Sequence, residues 1–261
     1  MENNSIQNVP PKLYKYQKFN LQTLENLQAR KTWFSDPENF NDPYDPAPPY
    51  PSELNDNDLQ KIFEFFKKAN PSIDLDKVWF FSDEKPNENF RKITLEVLQK
   101  HLPEYRATMF GISCFSAIKD DILMWAHYAD GHRGFCLEFD AQYAPFCKAH
   151  KVVYSPTYPL INLTEFLEGK QSSTVSPALE KLLLTKSEHW KYEQEWRIFF
   201  DKNSEFVFDA PALTGIYFGI AMPQIHKEII TQILANSPTL CYEMRPSIAE
   251  FRLDEPFLFT G

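Results

Sequence analysis

The sequence predicts an α+β fold, a mixed and mostly antiparallel sheet with flanking helices, in a single domain spanning residues 1–261. Short strand-like runs are interleaved with helix-like segments at irregular spacing, without the alternation that builds a parallel βαβ sheet. Only 7 of the 261 residues are glycine, whereas average usage gives roughly 18. The chain has no GxGxxG or GxxxxGK[ST] run, which excludes the glycine-loop nucleotide folds.

The N-terminal part of the chain predicts two strands and a capped helix, followed by a loop. Residues Leu13–Phe19 alternate apolar and polar side chains, as a half-buried strand does. Asn20 is the predicted N-cap of a helix that carries three leucines on one face. Thr32–Phe34 is a short strand, and the proline-rich residues 37–51 that follow are incompatible with regular structure.

Residues 36–105 are predicted to form an insertion of an acidic loop and two helices into the domain. Apolar side chains recur at helical spacing in Asp56–Ala69 and in Glu88–His101. Residues 36–76 contain ten acidic and three basic side chains, and so carry seven of the chain's nine net negative charges. We interpret this acidic segment either as a lid or as a surface for an inhibitory partner.

The remaining chain predicts further strands and helices without repeats or low-complexity tracts. An aspartate pair begins one helix, where the helix dipole favours acidic side chains. The predicted strands are Phe110–Ser116, Arg133–Phe139, Val152–Tyr154, Glu195–Phe200, Glu205–Phe208, Gly215–Ile220, Leu240–Met244 and Ile248–Leu253. The predicted helices are Asp120–Asp130, Pro177–Tyr192 and Met222–Asn236.

Charge and cysteine usage restrict the environment that we expect for the protein. A net charge of −9 argues against non-specific binding to nucleic acid or to an anionic membrane. The four cysteines are scattered without CxxC spacing, and the polar N-terminus has no signal-peptide core. We therefore expect a soluble, cytoplasmic protein without a membrane partner.

The first polar cluster is Asn39–Pro43, which follows a strand-like segment. Asn, Asp and Pro are the residues that tight turns select, so one interpretation is a turn with no further role. The alternative is an ordered loop at the rim of a cleft, with Asn41 as a hydrogen-bonding side chain.

The second cluster comprises Cys114–Ser116 and Met124–Gly134. Trp125 and Tyr128 are three residues apart and share a helix face, beside His127. The segment is either an aromatic core helix with a glycine cap or the wall of a site. Two histidines are present, but no HExxH or paired-carboxylate spacing accompanies them, so no metal is expected.

A glycine-flanked pair follows that helix. His132 and Arg133 lie between Gly131 and Gly134, and glycines permit a ligand to approach the backbone closely. We therefore expect Arg133 to lie near a bound ligand.

The third cluster is Trp190–Arg197. If a strand begins near Tyr192, then Glu193, Glu195 and Arg197 point to one face. Two carboxylates and an arginine on one face indicate either a solvent-facing strand with cross-strand ion pairs or a polar cavity. In the cavity, one glutamate would act on a sugar hydroxyl and the other would position it.

As an ordered set these segments resemble a large bacterial family described only as domain of unknown function 2971. The shared pattern is LYKY, FNDP, CFS, MW..YA.GH.G and W.YE.E.R, followed by a strand, Met-Pro and a helix. In this chain the pattern corresponds to Leu13–Tyr16, Phe40–Pro43, Cys114–Ser116, Met124–Gly134, Trp190–Arg197 and Gly219–Pro223.

The layout also shows a more distant similarity to ADP-ribosyltransferases, notably toxins that modify nucleic acids. An opening strand with a basic or aromatic residue, a middle aromatic block and a late Glu-x-Glu strand occur in the same order. This resemblance implies a split sheet of the ADP-ribosyltransferase type and NAD as substrate. It also implies an acceptor macromolecule, either nucleic acid or protein, and a role as a toxin with an antitoxin or as a phage-defence effector.

The resemblance also implies roles for individual residues. The catalytic carboxylates are Glu195, which bonds the nicotinamide ribose, and Glu193 as the first glutamate of the pair. The NAD-binding residues that the resemblance implies are Lys15 or Tyr16 on the opening strand and Tyr128 or Trp125 against the nicotinamide. With this function, His127 would form the wall of the nicotinamide pocket together with Trp125 and Tyr128. Further cofactor contacts would come from Asn41, Ser116, Arg133 and Arg197. Arginines would neutralise the diphosphate in place of a glycine loop.

Two other functions remain open from the sequence. One is a non-catalytic module that binds a nucleotide or another small ligand in the same cleft. The other is a metal-dependent nuclease or hydrolase that uses the Asp120/Asp121 or Glu193/Glu195 carboxylates.

Overall fold

The computed structural model of the 261-residue chain divides into two compact units. The first comprises Met1–Asn39, Phe110–Tyr154 and Glu188–Gly261, and the second comprises Phe40–Met109 and Ser155–Ser187. The structure describes residues 9–42, 44–45, 54–69, 81–82, 85–97, 111–159, 177–200 and 203–260. Residue 43 and residues 46–51 of the predicted loop at 37–51, and the last residues of the predicted Glu88–His101 helix, lie outside this part of the chain.

Fourteen short strands and six helices are assigned in the described residues. The strands are β1 Lys12–Gln17, β2 Lys31–Phe34, β3 Phe81–Ser82, β4 Lys85–Pro86, β5 Gly111–Ser116, β6 Phe135–Asp140, β7 His150–Lys151, β8 Val153–Ser155, β9 Thr185–Ser187, β10 Glu195–Phe200, β11 Ser204–Val207, β12 Leu213–Phe218, β13 Leu240–Pro246 and β14 Leu253–Leu258. The helices are α1 Leu21–Gln28, α2 Asp56–Ala69, α3 at residues 88–97, α4 Ile122–Tyr128, α5 Pro177–Leu183 and α6 Gln224–Ile233.

An eight-stranded sheet forms the centre of the first unit. Its strand order is β14-β13-β12-β6-β1-β5-β10-β7. The β12–β13 pair is parallel and the other pairs are antiparallel, so the predicted α+β class with a mixed, mostly antiparallel sheet is confirmed. Strand β1 lies between β5 and β6, which brings the start of the chain to the middle of the sheet.

The two faces of this sheet differ in composition. Side chains alternate along β1, so Leu13 and Lys15 lie on one face and Tyr14 and Tyr16 on the other. Leu13 belongs to a large phenylalanine-rich cluster that includes residues of α1 and α6, and we call this side the core face. Tyr14 and Tyr16 pack with Trp125 of α4, and we call this side the tyrosine face.

The second unit contains α2, α3, α5 and the β3–β4 hairpin. Helix α2 has the bounds that the sequence predicts, and its Leu59 and Phe63 are buried. A buried ion pair joins Lys186 to Asp45 at 3.6 Å. This unit contains most of the predicted insertion at 36–105 and also Ser155–Ser187, which lies outside the predicted insertion.

Local signals predicted some helix ends correctly. Asn20 caps α1 through a capping box with Thr23, as predicted for this position. At α4, the side chain of Asp121 accepts hydrogen bonds from the backbone N–H groups of Leu123 and Met124. The C-terminal end differs from the prediction, because α4 ends at Tyr128 rather than at Asp130 and Ala129 is its C-cap. Both Asp130 and Gly131 beyond it have positive φ, +50° and +60°.

Two predictions of regular structure were wrong. The helix expected over Pro177–Tyr192 ends at Leu183 and is followed by strand β9 and a 3-10 turn at Glu188–Glu193. The strand expected at Ile248–Leu253 begins only at Leu253, because residues 247–252 form the connection between β13 and β14. Ile248 is fully exposed there, so its apolar character does not mark a buried strand.

Within the described ranges, no helix is both long and apolar enough to cross a bilayer.

Candidate functional site

Three polar side chains from separate segments lie side by side across the tyrosine face. Tyr14 of β1 is registered with Ser116 of β5, and Ser116 is registered with Glu195 of β10. Registered residues on adjacent strands point to the same face, and adjacent strands are about 4.8 Å apart. The three residues therefore form a continuous cross-strand row spanning roughly 10 Å.

Glu195 forms a buried ion pair with Arg197. The Arg197 Nε donates to Glu195 Oε1 at 2.7 Å and its Nη2 donates to Oε2 at 3.1 Å. Glu195 is 4% exposed and Arg197 is 0% exposed. The alternative of a solvent-facing strand with cross-strand ion pairs is therefore wrong, since the strand is buried and the pair lies within it.

Glu193 reaches the same region from outside the strand. It ends the 3-10 turn at Glu188–Glu193, and β10 begins at Glu195, as the predicted strand Glu195–Phe200 does. The condition of a strand that begins near Tyr192 is therefore not met. Glu193 Oε1 accepts a hydrogen bond from the Tyr128 hydroxyl at 2.5 Å, and the Glu193 carbonyl accepts one from Ser116 Oγ at 2.7 Å. Gln194 between the glutamates has φ +44°, a conformation that is uncommon outside glycine and recurs at functional sites.

Trp125 and Tyr16 support the loop between β5 and α4. The indole N–H of Trp125 donates to the Lys119 carbonyl at 2.8 Å, and the Tyr16 hydroxyl donates to the Ile118 carbonyl at 3.0 Å. Their rings meet edge to face at 5.3 Å, and Trp125 is fully buried. Trp125 and Tyr128 are the two aromatic residues expected to stack on a ligand, and of these Tyr128 is half-exposed whereas Trp125 is buried.

His127 lies on the exposed side of α4 in a group of rings. It makes an edge contact with Tyr128 at 6.4 Å and a tilted contact with Tyr192 at 6.3 Å. Tyr192 in turn contacts Trp190 at 6.1 Å. The rings of Trp190, Tyr192 and His127 thus form a series of contacts that ends at Tyr128, whose hydroxyl donates to Glu193.

Lys15 does not lie on the sheet face that carries Tyr16, Ser116 and Glu195. It lies on the core face, where its Nζ donates to Ser113 Oγ at 2.8 Å and to the Cys114 carbonyl at 3.0 Å. Burial lowers the pKa of Lys15, although the Cys114 thiol and Glu195 oppose that effect. The alternation of β1 explains the placement, because position 15 has the same parity as Leu13.

Arg133 and Asn41, two further residues predicted to contact NAD, are both exposed. Arg133 pairs with Asp130 at 3.1 Å. Gly134 beside it accommodates the protein's own backbone, since a Cβ there would overlap the Gln17 carbonyl oxygen. Asn41 lies in the second unit, where Asp42 accepts from the Tyr44 N–H at 2.9 Å as the turn interpretation predicts.

Sequence reasoning missed Tyr14 and a carboxylate beside it. Tyr14 is registered with Glu138 of β6, whose Oε1 accepts from Thr214 Oγ1 at 2.6 Å and whose Oε2 accepts from the Tyr217 hydroxyl at 2.5 Å. Burial and Glu138 raise the pKa of Tyr14 well above its ordinary value, so its phenol stays protonated. Side chains alternate between the two sheet faces along LYKY and along FCLEFD, and this alternation is the signal that identifies Tyr14 and Glu138.

Replacing Glu138 by glutamine should destabilise the protein in a pH-dependent way. Burial alone would raise the pKa of Glu138, but hydrogen bonds from Thr214 and Tyr217 and the charge of Lys12 lower it overall. A carboxylate with a depressed pKa stabilises the fold above its unfolded value near 4.3 and loses that effect as the pH falls through the folded value.

We expect the Glu138 variant to lose about 1–3 kcal/mol of unfolding free energy at pH 7 and clearly less at pH 3, as measured by urea denaturation. The exposed Glu228, changed in the same way, is the control and should cost little at either pH. An equal loss at both pH values for Glu138→Gln would contradict the argument.

Potential metal ligands are dispersed in the part of the chain that the structure describes. No group of three or more His, Cys, Asp or Glu side chains there is arranged to hold a metal ion. The site is thus a pair of buried carboxylates, one held by a guanidinium and one by a tyrosine hydroxyl.

Comparison with known proteins identifies one related segment. No curated protein matches the sequence, and no solved structure matches it either. Residues 124–198, which include Tyr128, Glu193 and Glu195, match the model of a family described as "Protein of unknown function (DUF2971)". Over that segment, from α4 into β10, the resemblance to this family is confirmed.

Proposed function

We propose that the protein is an NAD-dependent mono-ADP-ribosyltransferase. The observation that supports this most strongly is the cross-strand row of Tyr14, Ser116 and Glu195. These residues come from the opening strand, the middle block and the Glu-x-Glu strand, and they lie on three adjacent strands and one face. If the chain is similar to ADP-ribosyltransferases in its layout, these three segments must come together at one site.

The buried carboxylate of Glu195 suits the chemistry of this reaction. Cleavage of the bond between nicotinamide and ribose develops positive charge on the sugar. A carboxylate held in a fixed position stabilises that charge without having to reorganise. Because Glu195 is 4% exposed, little water screens its interaction with the sugar.

The other residues receive roles from their positions. Tyr14 takes the opening-strand role, since Lys15 lies on the core face. The half-exposed ring of Tyr128 stacks against nicotinamide, while Trp125 and Tyr16 support the loop behind it. Glu193, held by the Tyr128 hydroxyl, orients the acceptor.

The acceptor is proposed to be a macromolecule, either nucleic acid or protein. The acidic net charge of −9 favours a protein or a site-restricted contact over a general grip on the phosphate backbone. A role as a toxin or phage-defence effector in the cytoplasm, with an inhibitory partner, is part of the same proposal.

The test is transfer of radiolabel from NAD to RNA, DNA or cell proteins by the purified protein. Labelled acceptor and released nicotinamide are the expected result. Thermal stabilisation by NAD without turnover would instead support the non-catalytic binding module. No binding of NAD at about 1 mM, the upper range of ordinary enzyme KM values, would reject both functions for this ligand.

A further inference from the structure

Arg197 has a contact pattern that differs from the one expected of a cofactor-binding arginine. Two of its nitrogens donate to the two oxygens of Glu195, at 2.7 and 3.1 Å, in the parallel arrangement that an arginine fork makes with a carboxylate. Arg197 is completely inaccessible to solvent. Its guanidinium therefore contacts a carboxylate inside the protein rather than facing a bound diphosphate.

The backbone around Glu195 is also held in place. The N–H of Glu195 donates to the Tyr154 hydroxyl at 2.8 Å, and its strand is paired with β5 through Ser116. Arg197 lies opposite Cys114 in the same strand pair. Side chain and backbone of Glu195 are thus fixed from different elements, which is how a preorganised group is built.

Placing such a pair in the interior carries an energetic cost. Desolvation of two buried charges often outweighs their mutual attraction, so buried pairs are weak evidence of added stability. A bidentate pair does, however, fix the orientation of a carboxylate and favours its ionised form. Both properties are needed if Glu195 is to stabilise positive charge on a sugar.

We propose that Arg197 is a positioning residue that holds the carboxylate of Glu195 in the orientation required for cleavage of NAD. The inference rests on the proposed function for its catalytic consequence. It replaces the expectation that Arg197 binds the diphosphate of NAD, and the two alternatives make opposite kinetic predictions.

The kinetic test compares Arg197→Met and Arg197→Lys with the wild-type protein in nicotinamide release from NAD. For Arg197→Met we expect kcat to fall about 100-fold, the cost of misplacing a reacting group by about 1 Å, with KM for NAD nearly unchanged. Lysine keeps the charge but loses the fork, so Arg197→Lys should restore part of the activity. Arg252→Met, which removes an exposed arginine paired with Glu250, is the matched control.

A double-mutant cycle decides whether Arg197 acts through Glu195. In a Glu195→Gln background, Arg197→Met should cause little further loss of kcat, since the carboxylate that it positions is gone. A raised KM with a preserved kcat would overturn the proposal in favour of diphosphate binding. Independent losses in the two variants would also overturn it.

A crystal structure of the variant tests the positioning role without requiring activity. In Arg197→Met, or in Arg197→Lys if the methionine variant does not fold, the Glu195 carboxylate should move by about 1 Å or more. An unmoved carboxylate would reject the positioning role even if the protein cleaves NAD. A wild-type protein that does not cleave NAD would reject the proposed function, while the structural result would still decide the role of Arg197.

Discussion

Replacing Glu195 by glutamine is expected to abolish transfer of ADP-ribose from NAD. The amide is nearly isosteric but carries no charge, so it cannot stabilise the positive charge that develops on the ribose. We expect kcat to fall about 10³-fold, similar to the loss of one preorganised electrostatic group elsewhere. Steady-state release of nicotinamide, measured with saturating NAD, gives this value directly.

The same variant needs a stability control, because it leaves Arg197 buried without its carboxylate partner. Removing one member of a buried pair commonly costs about 3–5 kcal/mol of unfolding free energy. Circular dichroism melting curves would show whether Glu195→Gln is folded at the assay temperature. The Glu195→Gln/Arg197→Met double variant, which removes both charges, should recover part of the stability but none of the activity.

Glu193 and Tyr128 provide the comparison within the site. Their side chains share a hydrogen bond of 2.5 Å, so Glu193→Gln and Tyr128→Phe each disturb the same contact. Both should reduce transfer to the acceptor more than they reduce nicotinamide release, and their effects should not add. If Glu193→Gln abolishes nicotinamide release while Glu195→Gln retains it, the catalytic assignment of the two glutamates is reversed.

Much of the local structure follows from the sequence, because local signals determine it. Alternation in Glu195–Phe200 predicts a strand with Glu195 and Arg197 on the same face, and the structure has this arrangement. Asn20 predicts the start of α1 through its capping side chain. These features depend only on residues within a few positions of one another.

The cross-strand row depends on information that the sequence patterns do not contain. Tyr14 and Ser116 are far apart in the chain, and strand order and register bring them together. A shift of register by one residue would move every side chain of a strand to the opposite face. The resemblance implies Lys15 or Tyr16 for the opening-strand role, whereas the register places Tyr14 beside Ser116.

The incorrect helix boundary has a similar origin. Residues after Leu183 continue without proline or glycine, so propensity alone does not end the predicted helix before Tyr192. The structure instead has strand β9 and the 3-10 turn that carries Glu193. Tertiary contacts, here from Tyr128 and Ser116 to Glu193, stabilise a conformation that the local sequence does not specify.

Alanine at Gly134 or Gly219 is expected to destabilise the fold severely. A Cβ at Gly134 would overlap the carbonyl oxygen of Gln17, and one at Gly219 would overlap the carbonyl oxygen of His132. The obstructing His132 carbonyl is itself fixed, because it accepts a hydrogen bond from the Ala221 N–H at 3.0 Å. The Gln17 carbonyl belongs to strand β1, where Gln17 is paired with Phe135 of β6. Since neither segment can move independently, we expect losses above about 3 kcal/mol in urea denaturation, beyond the range of most single substitutions.

Gly215 is the matched control, because it lies in the same sheet but has room for a side chain. The nearest atom to a Cβ there is a Tyr242 ring carbon at 3.5 Å, which is ordinary van der Waals contact. Gly215→Ala should therefore change the unfolding free energy by less than about 1 kcal/mol. Equal losses for Gly134→Ala and Gly215→Ala would show that the close backbone approach does not limit stability.

The same comparison distinguishes two explanations for the glycines around His132. If they admitted a ligand to the backbone, alanine at Gly131 would raise the KM for NAD. The structure gives Gly131 a φ of +60° with no closer neighbour than Arg133 Nη2 at 3.9 Å. We therefore expect Gly131→Ala to cost about 1–2 kcal/mol through backbone strain and to leave KM unchanged. A raised KM with normal stability would instead place the ligand against this loop.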